Sequence, residues 1–301
     1  MQPVIQIKNL SKSYADFHAV TDLNLTVNSG DVYGFLGPNG AGKSTTIRML
    51  LTLIYPSAGE ILVFNKSLQE NRNEILSRLG AIVEKPDFYG YLTAYKNLEL
   101  LGKISGKSIS NSRILEVLEL VGLKDRAKSK VKTYSQGMKQ RLGFAQAILH
   151  DPELIILDEP SNGLDPQGMK DMRDLIIHLS KDLKKTVFIS SHILSEVELM
   201  ANRMVILNKG KAIVEGDVQQ LLNNGEMKVT FELDNLEAAV QAIEISAWKN
   251  KLISTKTKSL AFHLMADEIP ALTKFLVEAN VKIKSIIPLR SLEDYFLSLT
   301  E

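Results

Sequence analysis

The sequence predicts an α/β protein whose main domain is a mostly parallel sheet with helices on both faces. Three observations predict this class. Short apolar runs alternate with helical patterns over residues 1–220, a glycine-rich stretch joins one such run to the next helix, and the pattern changes beyond residue 225. The 301 residues are therefore divided into a main domain, 1–220, and a small domain, 226–301.

The elements of the main domain are predicted from periodicity. The run 32–36 is short and mostly apolar, as expected of a strand buried on both faces, whereas 23–27 alternates apolar and polar residues. The other predicted strands are 4–7, 154–157, 186–190 and 205–207. Helical patterns cover 44–54, most of 93–150 and 168–183, and Gly122 is a predicted helix stop. The region of about 85–150 is interpreted as a helical subdomain.

The small domain has its own pattern. Predicted strands are 227–233, 252–256, 260–264 and 281–287, and predicted helices are 236–243, 269–279 and 291–299. This βαββαβ order with an added helix predicts a ferredoxin-like α+β domain. It carries no catalytic constellation, so a role in dimerisation or regulation is expected.

The charge balance, the cysteine content and the apolar runs argue against several classes of function. The 36 basic and 35 acidic residues give a net charge of +1, which gives no reason to expect nucleic-acid binding. The chain has no cysteine, which excludes disulfides and thiolate chemistry. The first residues lack a signal-peptide pattern, and the apolar runs are too short to cross a bilayer.

A complete P-loop pattern lies between the strand 32–36 and the helix 44–54. Its residues are Gly37, Pro38, Asn39, Gly40, Ala41, Gly42, Lys43, Ser44 and Thr45. Small residues let backbone N–H groups converge on phosphate oxygens, and the start of a helix adds a positive dipole end. Lys43 is expected to reach the β- and γ-phosphates of ATP, and the Ser44 hydroxyl to bind Mg²⁺. The alternative is a glycine-rich turn that binds nothing.

The apolar strand 154–157 ends in two carboxylates, Asp158 and Glu159. Burying adjacent charges is costly, so their place at the ligand-binding edge of the sheet indicates chemistry. Asp158 is expected to hold Mg²⁺ and Glu159 to act as general base toward the attacking water. The alternative is a solvated pair at a strand end.

Further motifs resemble those of the ABC ATPase family. Residues 134–141, YSQGMKQR, are similar to the family's signature motif, 161–165 to its D-loop, and 190–192 to its switch-histidine segment. The resemblance implies a head-to-tail dimer in which Ser135 and the backbone of Gly137 bind the γ-phosphate held by the other copy. It also implies that His192 contacts that phosphate, that Asp165 acts across the dimer, and that Tyr14 stacks on adenine.

Two positions depart from the family pattern. Glu84 stands where the family usually has glutamine, and with the residues that follow it resembles the subgroup that exports bacitracin-type and lantibiotic peptides. A carboxylate at this position is expected to ligate Mg²⁺ or orient water, although it cannot donate a hydrogen bond. Gln136 and Met138 replace a glycine and a glutamine of the signature motif, while Ser135 and Gly137 remain.

The resemblance implies the ATP-hydrolysing subunit of an ABC transporter that powers the export of a peptide antibiotic, a drug or a lipid-like cargo, with ATP and Mg²⁺ as ligands. Implied partners are a second copy of the chain and integral ABC-2-type permease subunits, with the chain peripheral on the cytoplasmic face of the inner membrane. The aromatic-rich segment 84–101 is the candidate docking surface. The alternatives are a soluble ABC ATPase that acts on ribosomes or DNA, and a non-catalytic nucleotide-binding regulator.

Overall fold

The computed structural model describes residues 2–84, 86–105, 107–223, 227–256 and 258–289. The chain divides into two compact units, Met1–Asp217 and Val218–Glu301. None of the helices in these described stretches combines the length and the apolar character needed to cross a membrane.

The first unit contains two sheets and a set of helices. Its strands are β1 (Pro3–Tyr14), β2 (Phe17–Asn28), β3 (Val32–Leu36), β4 (Ala58–Val63), β5 (Lys66–Ser67), β6 (Leu79–Ile82), β7 (Leu154–Asp158), β8 (Thr186–Ser191), β9 (Arg203–Asn208) and β10 (Lys211–Asp217). Its helices are α1 (Lys43–Leu50), α2 (Arg72–Ser77), α3 (Ala94–Ile104), α4 (Asn111–Leu120), α5 (Gln136–Ile148), α6 (Pro166–Lys181) and α7 (Leu194–Glu198).

The larger sheet has the strand order β10-β9-β3-β8-β7-β6. Strands β9, β3, β8, β7 and β6 run parallel, and β10 pairs antiparallel with β9 at one edge. Every residue of the central strands β3, β8 and β7 is buried, as expected of strands covered on both faces. The predicted parallel α/β core is therefore confirmed.

The second sheet of this unit is antiparallel, in the order β2-β1-β4-β5. The sequence pattern predicted only short strands at 4–7 and 23–27, but the hairpin of β1 and β2 spans twelve residues in each strand. Register shifts interrupt this pairing, which breaks the period-two pattern that sequence inspection depends on. Apolar side chains of both sheets form one core together with those of α1.

Capping residues fix the starts of four helices. The side chains of Thr93, Ser110, Ser135 and Asp165 each accept a hydrogen bond from the backbone N–H three residues later, at the starts of α3, α4, α5 and α6. Helix α4 ends at Leu120, and Gly122 takes a left-handed φ of 68° after it, so the predicted stop is confirmed.

Two polar groups anchor the sheet ends. Asp31 is 2% exposed, and its carboxylate accepts hydrogen bonds from the Asn28 N–H and the Asn202 side chain, both at 2.8 Å, with Arg203 at 3.5 Å. After α5, His150 forms a 3.0 Å hydrogen bond through Nε2 to the Leu79 carbonyl oxygen. Burial lowers the pKa of His150 below its usual value because water no longer stabilises the charged ring.

The second unit contains α8 (Val218–Asn223), β11 (Met227–Leu233), α9 (Leu236–Glu244), β12 (Leu252–Lys256), β13 (Ser259–Leu264), α10 (Glu268–Glu278) and β14 (Ile283–Leu289). Its antiparallel sheet has the order β12-β13-β11-β14 around its own apolar core, in which Phe231 and Phe262 meet edge to face. The elements from β11 to β14 follow the βαββαβ order. The ferredoxin-like assignment stays a prediction, and the predicted helix 291–299 lies outside the described residues.

Candidate nucleotide site

The P-loop connects the buried strand β3 to helix α1 at the carboxyl edge of the parallel sheet. Gly42, which precedes α1, has a φ of 101°, and a Cβ at this residue would lie 2.5 Å from the Ala19 carbonyl oxygen. Only glycine fits both constraints without strain. The loop therefore turns tightly enough for α1 to begin directly at Lys43.

Lys43 is the buried cation of the site, with 6% exposure. Its Nζ donates hydrogen bonds to the Gly37 oxygen at 2.6 Å and the Pro38 oxygen at 3.3 Å. The same atom lies 3.4 Å from Glu159 Oε1. The P-loop lysine and the carboxylate at the end of β7 therefore face the same space.

Glu159 and His192 are brought together by the parallel pairing of β7 and β8. His192 Nδ1 lies 2.6 Å from Glu159 Oε2. A carboxylate only accepts hydrogen bonds, so the ring donates through Nδ1–H, which fixes the orientation of both groups. Asp158, one residue earlier, is 9% exposed and accepts a 2.5 Å hydrogen bond from the Ser190 hydroxyl.

These residues surround a cavity of about 520 Å³, which is within the range of small-molecule sites. Its lining consists of Phe17, Ala19, Asn39, Gly40, Gly42, Lys43, Ser44, Thr45, Glu159, Asn162 and His192. Eight of these were predicted from the sequence, namely Asn39, Gly40, Gly42, Lys43, Ser44, Thr45, Glu159 and His192.

The sequence did not single out Phe17, Ala19 or Asn162 as site residues. Phe17 opens β2 directly opposite Tyr14 in the hairpin and is 62% exposed at the cavity. Tyr14 is outside the lining, and the Lys12 ammonium group lies 5.0 Å from its ring centroid. The aromatic pair at the hairpin turn is visible in the sequence, but the pairing register is needed to see which ring faces the loop. The role of Tyr14 stays a prediction.

Other predicted site residues lie outside this lining. Ser135 caps α5, where its Oγ accepts a hydrogen bond from the Met138 N–H at 3.2 Å, and Asp165 caps α6 through the Gly168 N–H at 2.9 Å. A Cβ on Gly137 would lie 3.6 Å from the Leu164 side chain. The signature segment and the D-loop segment are therefore neighbours in one protomer, at the starts of two helices.

Glu84 is exposed and forms a 2.7 Å ion pair with Arg48 of α1, and its backbone has a φ of 66°. It is not part of the cavity lining, so a direct role toward Mg²⁺ or water requires the carboxylate to leave Arg48. After it, Pro86 packs on α5 so closely that a Cβ on Gly143 would lie 2.4 Å from Pro86 Cγ. This close approach places Pro86 directly on α5, the helix that begins within the signature motif.

Comparisons with known proteins agree with this geometry. Residues 20–162 match the ABC transporter family model. The chain is 44% identical over 300 residues to the bacitracin transport ATP-binding protein BcrA of Bacillus licheniformis, covering 99% of this chain and 98% of that protein. It is 40% identical over 235 residues to the lantibiotic transport ATP-binding protein SrtF of Streptococcus pyogenes, covering 76% of this chain and 99% of that protein.

Among solved structures, the fold is similar to a dimeric post-hydrolysis state of the ATP-binding cassette MJ0796 bound to ADP and Pi. The TM-score is 0.64 at 26% identity, and the match covers 71% of this chain and 98% of that one.

Proposed function

The chain belongs to the ATP-binding subunits of the ABC transporter family and is an ATPase, and we propose that it powers the export of peptide antibiotics. The similarity to transport subunits named for bacitracin and for lantibiotics, over most of the chain, supports this cargo class. Nothing in the comparisons favours a ribosome- or DNA-acting ATPase.

The observation that carries the catalytic proposal is the contact between Glu159 and His192 beside Lys43. In the proposed reaction, Glu159 takes a proton from water while the water oxygen attacks the γ-phosphorus of ATP. The bond from that phosphorus to the β–γ bridging oxygen breaks, which releases ADP and inorganic phosphate. His192 holds the Glu159 carboxylate through its Nδ1–H, and the Lys43 charge is placed to stabilise the phosphate oxygens.

Mg²⁺ fits the donor set of the site. Ser44 offers a hydroxyl at the cavity and Asp158 a carboxylate just behind it, and both are the oxygen ligands that Mg²⁺ prefers. Across the part of the chain that the structure describes, no three acidic or histidine side chains converge on one point. This agrees with a metal held by one or two side chains and by the nucleotide. When bound, Mg²⁺ would neutralise charge on the β- and γ-phosphates.

A second copy of the chain is proposed to complete the site. Ser135, Gly137 and Asp165 lie outside the cavity of their own protomer, at the neighbouring starts of α5 and α6. Helix starts attract phosphate because their backbone N–H groups are free and their dipole end is positive. A head-to-tail dimer would bring both helix starts to the ATP of the partner, and the similar cassette MJ0796 was solved as a dimer.

The proposed membrane partner is an ABC-2-type permease, with the chain peripheral on the cytoplasmic face of the membrane. Its docking surface is assigned to Tyr89, Tyr91, Lys130 and Lys132, which we call the Tyr–Lys surface. Tyr89 and Tyr91 are 48% and 67% exposed with rings 5.9 Å apart, and the Lys132 N–H donates to the Gly90 oxygen at 2.9 Å. Exposed aromatic rings on a segment whose backbone is hydrogen-bonded to a lysine-bearing segment suit an apolar partner segment with acidic ends.

The catalytic proposal is tested with Glu159→Gln and a matched control, Glu153→Gln. Both replace a carboxylate next to β7, but Glu153 lies at the opposite end of the strand in an ion pair with Arg78. We expect Glu159→Gln to bind ATP, to lose at least about 100-fold in turnover and to accumulate as an ATP-bound dimer on size-exclusion chromatography. Glu153→Gln should retain wild-type turnover. Turnover of Glu159→Gln within twofold of wild type would remove Glu159 from the mechanism.

The transport proposal needs a second experiment in cells. The chain is co-expressed with candidate ABC-2-type permease subunits in a bacitracin-sensitive host, and antibiotic tolerance and membrane co-purification are measured. We expect tolerance with the wild-type chain and none with Glu159→Gln. Recovery of the chain with ribosomes or DNA and not with membranes would overturn the transporter assignment.

A further inference from the structure

A fully buried hydroxyl lies behind the two carboxylates at the end of β7. Ser190 is 0% exposed and stands opposite Asp158 in the parallel register of β7 and β8. Its Oγ donates a hydrogen bond to Asp158 Oδ1 at 2.5 Å and accepts one from the Glu159 backbone N–H at 3.0 Å. One hydroxyl therefore contacts both residues that the proposed mechanism assigns to the metal and to the water.

The backbone at Glu159 gives this contact a further consequence. Glu159 has a φ of 50°, in the left-handed region that residues other than glycine rarely adopt, and Pro160 follows it. The Glu159 N–H is held by Ser190, and the Glu159 carbonyl oxygen accepts a hydrogen bond from the Asn162 N–H at 3.1 Å. This turn directs the Glu159 side chain toward Lys43 and His192, while Asp158 remains behind the cavity.

We propose that Ser190 is a positioning residue for ATP hydrolysis, which sets the orientation of Asp158 relative to Glu159. The inference rests on the proposed function, in which Asp158 holds Mg²⁺ and Glu159 accepts the proton of the attacking water. Donation to Oδ1 restricts rotation of the Asp158 carboxylate, and acceptance from the Glu159 N–H stabilises the left-handed turn. Hydrogen-bond partners of this kind orient the groups that bind the metal and typically affect metal affinity or activity by about 10–100-fold.

A hydrogen bond that only stabilises the fold would affect the melting temperature but not kcat. The chain offers a matched control for this case. Ser180 on α6 is also a buried serine, at 9% exposure, and its Oγ donates to the Gly30 oxygen at 2.8 Å. Gly30 precedes β3, so this contact lies at the opposite edge of the parallel sheet from the cavity. Ser180→Ala therefore removes a buried hydroxyl without touching the site.

The experiment compares wild type, Ser190→Ala, Ser190→Cys and Ser180→Ala. It measures kcat, KM for ATP and melting temperature, and the affinity for Mn²⁺ in the presence of ATP by electron paramagnetic resonance in a Glu159→Gln background. We expect Ser190→Ala to lower kcat by about 10–100-fold and Mn²⁺ affinity by at least about 10-fold, with KM for ATP changed less than about threefold. Ser180→Ala should lower the melting temperature by about as much as Ser190→Ala does, but it should retain kcat within twofold of wild type.

Ser190→Cys keeps the measurement possible if the alanine variant fails to fold, because the thiol fills the same space and hydrogen-bonds weakly. It is expected to show the same loss of kcat and Mn²⁺ affinity as the alanine variant. A folded Ser190 variant with kcat and Mn²⁺ affinity within twofold of wild type, or an equal loss in Ser180→Ala, would overturn the proposal. If Glu159→Gln retains turnover, the proposed function itself fails, whereas an inactive Glu159→Gln beside an active Ser190→Ala refutes the role of Ser190 alone.

Discussion

Replacing Gly143 by alanine tests whether Pro86 packs on α5. A Cβ at Gly143 would lie 2.4 Å from Pro86 Cγ and 2.8 Å from Pro86 Cβ, and ordinary contacts of this kind begin at 3.4 Å. Either Pro86 or helix α5 must therefore move by about 1 Å. Gly143 is buried in the middle of α5, so an added methyl group cannot point into solvent to relieve the overlap.

The expected magnitude follows from two opposing terms. Alanine in a helix interior is favoured over glycine by about 1 kcal/mol, whereas overpacking a core costs about 1–3 kcal/mol. The free energy of unfolding should therefore fall by at most about 2 kcal/mol, or up to about 8 °C in melting temperature. The functional effect should be larger, because a displacement of about 1 Å can cost about 100-fold in rate even when the mutation lies away from the reacting groups.

The assay measures ATPase turnover and thermal unfolding for Gly143→Ala, Pro86→Gly and the double variant. Pro86→Gly removes both ring atoms that make the close contact. The loss of turnover from Gly143→Ala should therefore be much smaller in the Pro86→Gly background than in wild type. We expect a coupling free energy of about 0.5–3 kcal/mol between the two positions. Wild-type turnover in Gly143→Ala, or a coupling of zero, would refute the packing of Pro86 on α5.

Three further predictions concern the site and the stability of the fold. His192→Ala should lower kcat by at least about 100-fold, with a smaller change in KM for ATP, because Glu159 loses the hydrogen bond that orients it; unchanged steady-state kinetics would contradict this. Asp31→Asn should lower the free energy of unfolding by about 2–4 kcal/mol in denaturant titrations, because an amide cannot accept all the hydrogen bonds that the buried carboxylate accepts; a loss below about 0.5 kcal/mol would contradict it. The pKa of His150 is lowered in the folded state, so from about pH 6.5 downward the unfolded state binds a proton that the native state does not, and stability falls as the pH falls. His150→Gln, which still donates to Leu79, should lose less stability than wild type between pH 7 and pH 5, and an identical pH dependence would exclude this role of His150.

The local part of the nucleotide site was predictable because neighbouring residues determine it. The P-loop needs its small residues, lysine and hydroxyl in one short stretch between a strand and a helix, so Lys43 and Ser44 are identified by spacing alone. The placement of Glu159 at a strand end follows the same reasoning, since parallel strands present their carboxyl ends at one edge. These residues line the cavity in the structure.

Other features depend on which elements become neighbours. The ion pair between Arg48 and Glu84 joins two segments that are 36 residues apart, and no periodicity indicates it. Phe17 faces the cavity and Tyr14 lies outside the lining because of the register of the β1–β2 hairpin, which contains several shifts. A bulge changes the face that a side chain occupies, so the alternating pattern fails at this point.

The groups proposed to carry the chemistry can be identified from the sequence alone: a phosphate loop, a pair of carboxylates and a histidine, each placed by its own strand or helix. How these groups orient one another depends on the fold, through the Ser190 hydroxyl between Asp158 and Glu159 and the Nδ1–H of His192 on the Glu159 carboxylate. The difference comes from the distance along the chain over which each effect acts. Backbone propensity and spacing act within a few residues, whereas hydrogen bonds between β7 and β8 exist only once strand order and register are fixed.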